Sequence, residues 1–274
     1  MPRYVLQNLI DNKGAELSRI ETIGNATLYL GDCREILPMF PLCSVDAIVT
    51  SPPYNNWRNR RTQKRKADYW ARTNIVYDTH NDALPDDEYA AWQTEIIDLC
   101  LDAIKKTGTI AYNHKDRIFN FKATSPLSWI TKSHGIVRQR VTWNRCGMQA
   151  FNDCRFYRTE EDIYIIGHDV GAAFKWNKEF AALLSVWDVV PDKRAKHPAP
   201  MAVEIARRCV AAFTTENDLV ADPFMGSGTT ALAALALGRR FVGIEISEAY
   251  FDIACRRIED AQRQGEMFYN LAAQ

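Results

Sequence analysis

Short apolar, β-branched runs recur along the chain at residues 27–30, 45–50, 109–112, 219–221 and 241–246, each ending in a turn residue or a small polar group. Runs of this length bounded by turns predict buried strands. Between them the period lengthens. Across 86–106, Tyr89, Trp92, Ile96, Leu99 and Ala103 recur at helical spacing, with acids opening the segment and Lys105, Lys106 and Gly108 closing it. Further helices are predicted over 201–213, 229–237 and 248–262. Strands alternating with helices predict an α/β fold: a mostly parallel, doubly wound sheet covered on both faces, with ligands at the carboxyl ends of its strands. Residues 133–196 break the rhythm. Alternating segments at 137–143 and 162–166, separated by polar loops, predict antiparallel strands plus a small insertion within 131–196.

Composition narrows this picture only a little. A chain of 274 residues, 47% hydrophobic and 25% charged, suits a single α/β domain and excludes a fibrous or disordered one. Lysine plus arginine equals aspartate plus glutamate, 34 against 34, so any attraction to nucleic acid must come from local clustering. Seven scattered cysteines form no C-x-x-C pair, which disfavours a zinc site or a disulfide framework, and no metal is expected. No signal-like leader and no run of 18 apolar residues is present, so a cytoplasmic protein without a membrane partner is expected.

Two segments carry chemistry. The first, Asp222-Pro223-Phe224-Met225-Gly226-Ser227-Gly228-Thr229-Thr230, runs from an apolar strand through a Gly-x-Gly turn into a helix. Glycines admit a ligand close to the backbone, and the helix start supplies free N–H donors. No Gly-Lys-Ser/Thr follows, so it is not a phosphate-binding P-loop. Alone, the turn fits a plain strand-to-helix connection equally well. One strand further on, Glu245 stands at a strand end, where a carboxylate accepts the two hydroxyls of a ribose or simply starts the next helix.

The second segment, Ser51-Pro52-Pro53-Tyr54, follows the buried strand 45–50. Two prolines remove two N–H donors and hold the chain extended, so that carbonyls project in fixed directions. Such a site suits a base amino group, whose lone pair is delocalised into the ring. Acceptance of both amino hydrogens, by Ser51 and the Pro52 carbonyl, favours the pyramidal nitrogen of a transition state. Tyr54 offers a ring on which a flipped base could stack.

Together these residues resemble the β class of DNA amino-methyltransferases, in which the catalytic motif precedes the cofactor motif. Leu30-Gly31-Asp32 and His197-Pro198-Ala199-Pro200 are similar to two further motifs of that family. The resemblance implies a circularly permuted methyltransferase sheet, S-adenosylmethionine as cofactor and double-stranded DNA as partner. A homodimer and a cognate restriction enzyme are further candidate partners. It assigns Asp222, Phe224, Gly226, Ser227, Gly228, Thr229 and His197 to the cofactor, with Glu245 on the ribose and Asp32 on the adenine. Ser51, Pro52, Pro53 and Tyr54 are assigned to catalysis. A capping aspartate and a structural histidine are the ordinary readings of Asp32 and His197. Ser-Pro-Pro-Tyr leans slightly to cytosine N4, with adenine N6 a close alternative.

Basic clusters supply the DNA contacts. Residues 55–80 contain Arg58, Arg60, Arg61, Lys64, Arg65, Lys66 and Arg72, interleaved with Trp57, Tyr69 and Trp70. A second set, Lys132, Arg138, Arg140, Arg145, Arg155 and Arg158, falls in the expected target-recognition segment 131–196, with Asn144, Gln149 and Asn152 available to base edges. Methylation of RNA or a small metabolite, and a DNA-binding subunit without turnover, remain competing readings.

Overall fold

The computed structural model describes residues 19–55, 84–119, 122–147, 156, 158–180, 183–191 and 201–272. Its strands are β1 (Arg19–Ile23), β2 (Ala26–Leu30), β3 (Val45–Thr50), β4 (Ile104–His114), β5 (Arg117–Phe119), β6 (Lys122–Thr124), β7 (Ile136–Asn144), β8 (Glu160–Gly167), β9 (Val186–Asp188), β10 (Leu219–Asp222) and β11 (Arg240–Glu245). The helices are α1 (Cys33–Ile36), α2 (Asp86–Ala103), α3 (Leu127–Ile130), α4 (Val203–Phe213), α5 (Thr229–Ala236) and α6 (Glu248–Ala272).

Nine strands form one sheet in the order β1-β2-β11-β10-β3-β4-β8-β7-β9, and β5 and β6 pair apart from it. The run from β2 to β4 is parallel, whereas β8 lies antiparallel to both β4 and β7. Alternate side chains enter two apolar layers, as expected for a sheet covered on both faces. Leu28, Ala47 and Val49 pack with α4, α5 and α6, while Tyr29, Ile48 and Ile244 pack with α1, α2 and α3. Among the described residues, no helix is long and apolar enough to cross a membrane.

The predicted α/β architecture is observed, with two differences. Helix α2 stops at Ala103, and Lys105 and Lys106 belong to β4 instead of closing the helix. The buried Asp46 carboxylate explains the switch. It accepts Lys105 Nζ at 2.6 Å and the Leu219 N–H at 3.0 Å, tying β4 and β10 to the start of β3. The second difference concerns 131–196: its expected antiparallel strands are present as β7 and β8, and with β9 they join the main sheet.

Strand order creates the binding crevice. From β10 the chain passes through α5 to β11 on one side, whereas β3 leads through α2 to β4 on the other. The β10/β3 boundary is thus a topological switch point, the place where open α/β sheets take ligands beyond their carboxyl ends.

Candidate active site

At that boundary the two chemistry-bearing segments are joined by Asp222, which is 3% exposed. Its Oδ1 accepts Thr50 Oγ1 at 2.7 Å and the Phe224 N–H at 3.0 Å, and its Oδ2 accepts Thr230 Oγ1 at 2.7 Å. Both carboxylate oxygens therefore hold the turn and the last residue of β3, and Asp222 shapes the turn from beneath. Burial pushes its pKa up to about 6.

The turn folds over this carboxylate. Gly228 adopts φ +81°, and a Cβ there would stand 3.2 Å from the Ala254 Cβ. The Gly226 N–H donates to Glu245 Oε2 and the Ser247 N–H to Glu245 Oε1, each at 2.8 Å. Glu245 is driven up to about 7 by burial, with Asp222 adding to the effect. Among the described residues no salt bridge reaches Asp222 or Glu245. Two desolvated carboxylates without a cation beside a glycine turn fit a ligand that brings hydroxyl donors and positive charge.

The remaining cofactor candidates divide. Phe224 lies at the site end of β10 with its ring edge-on to Trp92, centroids 5.7 Å apart. Thr229 opens α5 and is buried. Ser227 is engaged locally, its carbonyl and hydroxyl accepting Arg257 Nη1 at 2.5 and 2.8 Å. Asp32 caps α1, accepting the Arg34 N–H at 2.9 Å and Arg34 Nη2 at 2.6 Å, and stands just beyond Leu30, the β2 residue that pairs with Glu245. His197 lies outside the described residues.

Around Ser51-Pro52-Pro53-Tyr54 the polar groups are arranged with direction. Tyr89 Oη donates to the Pro53 carbonyl at 2.7 Å. His114 Nδ1 meets both the Lys115 N–H at 2.8 Å and the Lys115 carbonyl at 2.7 Å, and its Nε2 lies 2.7 Å from Tyr89 Oη; with the Tyr89 proton on Pro53, Nε2 is the donor in that last contact. Burial lowers His114 to about 3, keeping the ring neutral. The Pro53 carbonyl is therefore occupied, while among the described residues nothing donates to the Pro52 carbonyl.

Tyr54 is placed differently from the sequence expectation. It is 9% exposed, its ring centroid lies 4.5 Å from that of His114, and Lys115 Nζ stands 5.0 Å from it. The ring is thus packed against its neighbours, and its hydroxyl meets Ser51 Oγ at 2.9 Å, Glu161 Oε2 at 3.0 Å and Asn113 Nδ2 at 2.8 Å. Glu161, Asn113, His114 and Tyr89 were absent from the sequence-based site. Asn113 and Glu161 lie near the site ends of β4 and β8, and polar residues breaking apolar strands there were the available signal.

The second basic set does not act as one surface. Arg145 Nη1 donates to Glu161 Oε1 and its guanidinium covers Trp143, so it belongs to the site wall. Arg140 is exposed and stands 3.9 Å from Asp162. Arg138 must be withdrawn from the DNA-contacting set. It lies at the opposite end of the sheet, where its guanidinium donates to the Gly108 and His168 carbonyls and packs over Phe174. Arg58, Arg60, Arg61, Lys64, Arg65, Lys66 and Arg155 fall outside the described residues.

A glycine turn and an acidic strand end facing an extended Ser-Pro-Pro-Tyr loop across one switch point define a methyltransferase-type α/β domain. Residues 45–256 match the N6/N4 methyltransferase family described as DNA methylase, and the chain belongs to that family. The Type II methyltransferase M.BglII of Bacillus subtilis is 29% identical, over 89% of this chain and 72% of its own. The cytosine-N4-specific PvuII DNA methyltransferase shares the fold with a TM-score of 0.69 at 17% identity, covering 89% of this chain and 93% of that one. TTHA0409 of Thermus thermophilus, complexed with S-adenosyl-L-methionine, gives a TM-score of 0.63 at 22% identity, covering 85% and 95%. The protein is thus a DNA amino-methyltransferase.

Proposed function

We propose that the protein transfers the methyl group of S-adenosylmethionine to an exocyclic amino group of a base flipped out of double-stranded DNA. Cytosine N4 is the favoured target, and adenine N6 is the alternative that the same acceptors serve. The observation that carries the reading is the adjacency of Ser51 Oγ and the Pro52 carbonyl, to which nothing donates among the described residues, in a loop whose strand is tied by the Thr50–Asp222 bond to the Gly226–Glu245 turn. Two acceptors fixed beside a site for a cationic donor are what a weakly nucleophilic amino nitrogen requires.

In this mechanism the cofactor supplies an electrophilic methyl group. Glu245 takes the ribose hydroxyls and Asp32 the adenine side. Phe224, Gly226, Ser227, Gly228 and Thr229 form the wall along the methionine portion, shaped from beneath by Asp222. Ser51 and the Pro52 carbonyl would accept the two amino hydrogens and so orient the nitrogen lone pair toward the donor; as the N–C bond formed and the S–C bond broke, the nitrogen would give up one of these protons to water. Tyr89 and His114 hold Pro53, which fixes the neighbouring carbonyl. The Ser-Pro-Pro-Tyr sequence underlies the lean to cytosine. The basic segments, Arg140 and the 55–80 loop among them, carry the DNA backbone. A cytoplasmic homodimer, working alone or with a restriction enzyme, completes the proposal.

The test is transfer of labelled methyl from S-adenosylmethionine to duplex DNA, RNA and free nucleosides, followed by mass spectrometry of the nucleosides. N4-methylcytosine in duplex DNA is expected. N6-methyladenine would select the alternative base, and label in RNA or nucleosides alone would overturn the DNA reading.

A further inference from the structure

Among the described residues the Tyr54 hydroxyl has three polar neighbours, and it has only one proton. Glu161 is 2% exposed, with Arg145 Nη1 in contact with its Oε1 and Lys115 Nζ at 4.0 Å, and a carboxylate facing two cations acts only as an acceptor. Tyr54 must then donate to Glu161, across 3.0 Å. Burial and the Glu161 charge both push the Tyr54 pKa well up, which retains that proton. The Asn113 amide nitrogen lies 3.1 Å from Glu161 Oε2 and 2.8 Å from Tyr54 Oη. The reverse amide orientation would set an oxygen against the carboxylate, so Asn113 donates to both.

With its only proton on Glu161, Tyr54 Oη can only accept from Ser51 Oγ, 2.9 Å away. The Ser51 proton therefore points into the protein; Asn113 Nδ2 stands 3.5 Å from Ser51 Oγ on the acceptor side, and the remaining lone pair is left for the base. We propose that Glu161, acting through Tyr54, fixes Ser51 as a hydrogen-bond acceptor and thereby makes the site select an amino base over its keto counterpart: cytosine over uracil, or adenine over hypoxanthine. An amino group offers hydrogens to such an acceptor, whereas a keto oxygen meets only lone pairs. Glu161 is a positioning residue for specificity. The inference rests on the amino-methylation reading.

Glu161→Gln tests it, because a glutamine amide can donate to Tyr54 Oη, freeing the phenolic proton to turn toward Ser51. The probe is a duplex carrying the site mapped by sequencing DNA that the wild-type protein has methylated. A second duplex carries the keto base at the target position. The wild type should prefer the amino duplex, and in Glu161→Gln the ratio of the two dissociation constants should fall by about tenfold, with cofactor affinity within about twofold of wild type. Tyr54→Phe, which also releases the Ser51 proton, should lower the same ratio and serves if Glu161→Gln does not fold. An unchanged ratio in a folded variant overturns the inference, even if transfer slows, since a merely structural role would spare discrimination. Absence of methyl transfer by the wild type would instead overturn the amino-methylation reading itself.

Discussion

Thr50 Oγ1 donates to Asp222 Oδ1 across 2.7 Å although the two residues lie 172 positions apart. This bond fixes the strand that ends in the Ser-Pro-Pro-Tyr loop to the strand that begins the glycine turn. Thr50→Val keeps the shape and removes the donor. It should cost about 1–3 kcal/mol of stability and lower both cofactor affinity and transfer rate. Urea denaturation and isothermal titration would check this, and loss of transfer with unaltered cofactor binding would contradict the coupling.

Ser51→Ala and Asp222→Ala should separate cleanly. Ser51 is at the edge of the network, so its loss should leave cofactor affinity near wild type while slowing single-turnover transfer by about 100-fold. Removing Asp222 leaves the Thr50 hydroxyl and the Phe224 N–H without their acceptor and Thr230 with only the Val49 carbonyl at 3.2 Å, which should cost about 3 kcal/mol and weaken cofactor binding through the collapsed turn. Equal loss of cofactor affinity in both variants would refute the division.

Much of this site was visible in the chain because its motifs are contiguous. Ser51-Pro52-Pro53-Tyr54 follows an apolar strand, and the glycine turn follows another, so strand ends and ligand end coincide. What escaped was assembled by pairing. Tyr112 meets Tyr164 across β4 and β8, a register that brings Asn113 and Glu161 together; each stands out locally as a polar residue, yet neither segment alone announces the pairing. Arg138 was misjudged for the same reason. Its strand β7 runs antiparallel to β8, so only the Asn144 end of β7 reaches the site, and nearness to other arginines in sequence conveyed nothing about which end Arg138 occupies. Lys105 and Lys106 read as a helix stop because the buried Asp46 that draws Lys105 into β4 lies 59 residues earlier.

Glu245 should make cofactor binding depend on pH. Its folded pKa of about 7 lies above the ordinary 4.5, so between these values the folded protein binds more protons than the unfolded one. This group's contribution to stability therefore falls as pH rises from 4.5 to about 7. Cofactor hydroxyls and a positive charge favour the ionised carboxylate, so binding should release a proton and affinity should rise with pH until it levels above about 7. Asp222, at about 6, works in the same direction. Titration calorimetry at about pH 6.5, between the two carboxyl pKa values, in buffers of different ionisation enthalpy should show proton release that shrinks in Glu245→Gln to the smaller share from Asp222. Identical heats in both buffers would exclude this account.

Gly228→Ala addresses the turn alone. At φ +81° an L-residue is strained by about 1 kcal/mol or more, and its new methyl would press on the Ala254 Cβ at 3.2 Å, part of α6. The turn can relieve both only by shifting away from α6. Stability should fall by about 1–3 kcal/mol, with a weaker cofactor complex; a variant as stable as wild type would show that the turn adapts freely.

Arg138 and the 55–80 loop offer opposite predictions about DNA. Every phosphate that a variant no longer neutralises lowers the slope of log affinity against log salt by about 0.9. Replacing Arg58, Arg60 and Arg61 with alanine should weaken duplex binding and flatten that slope, leaving stability near wild type. Arg138→Ala removes a guanidinium bonded to two carbonyls and to Thr109 at the far end of the sheet, so it should lower stability and leave the slope unchanged. A flattened slope in Arg138→Ala would return that residue to the DNA surface, because a cation whose only work is inside the protein releases no counterions when DNA binds.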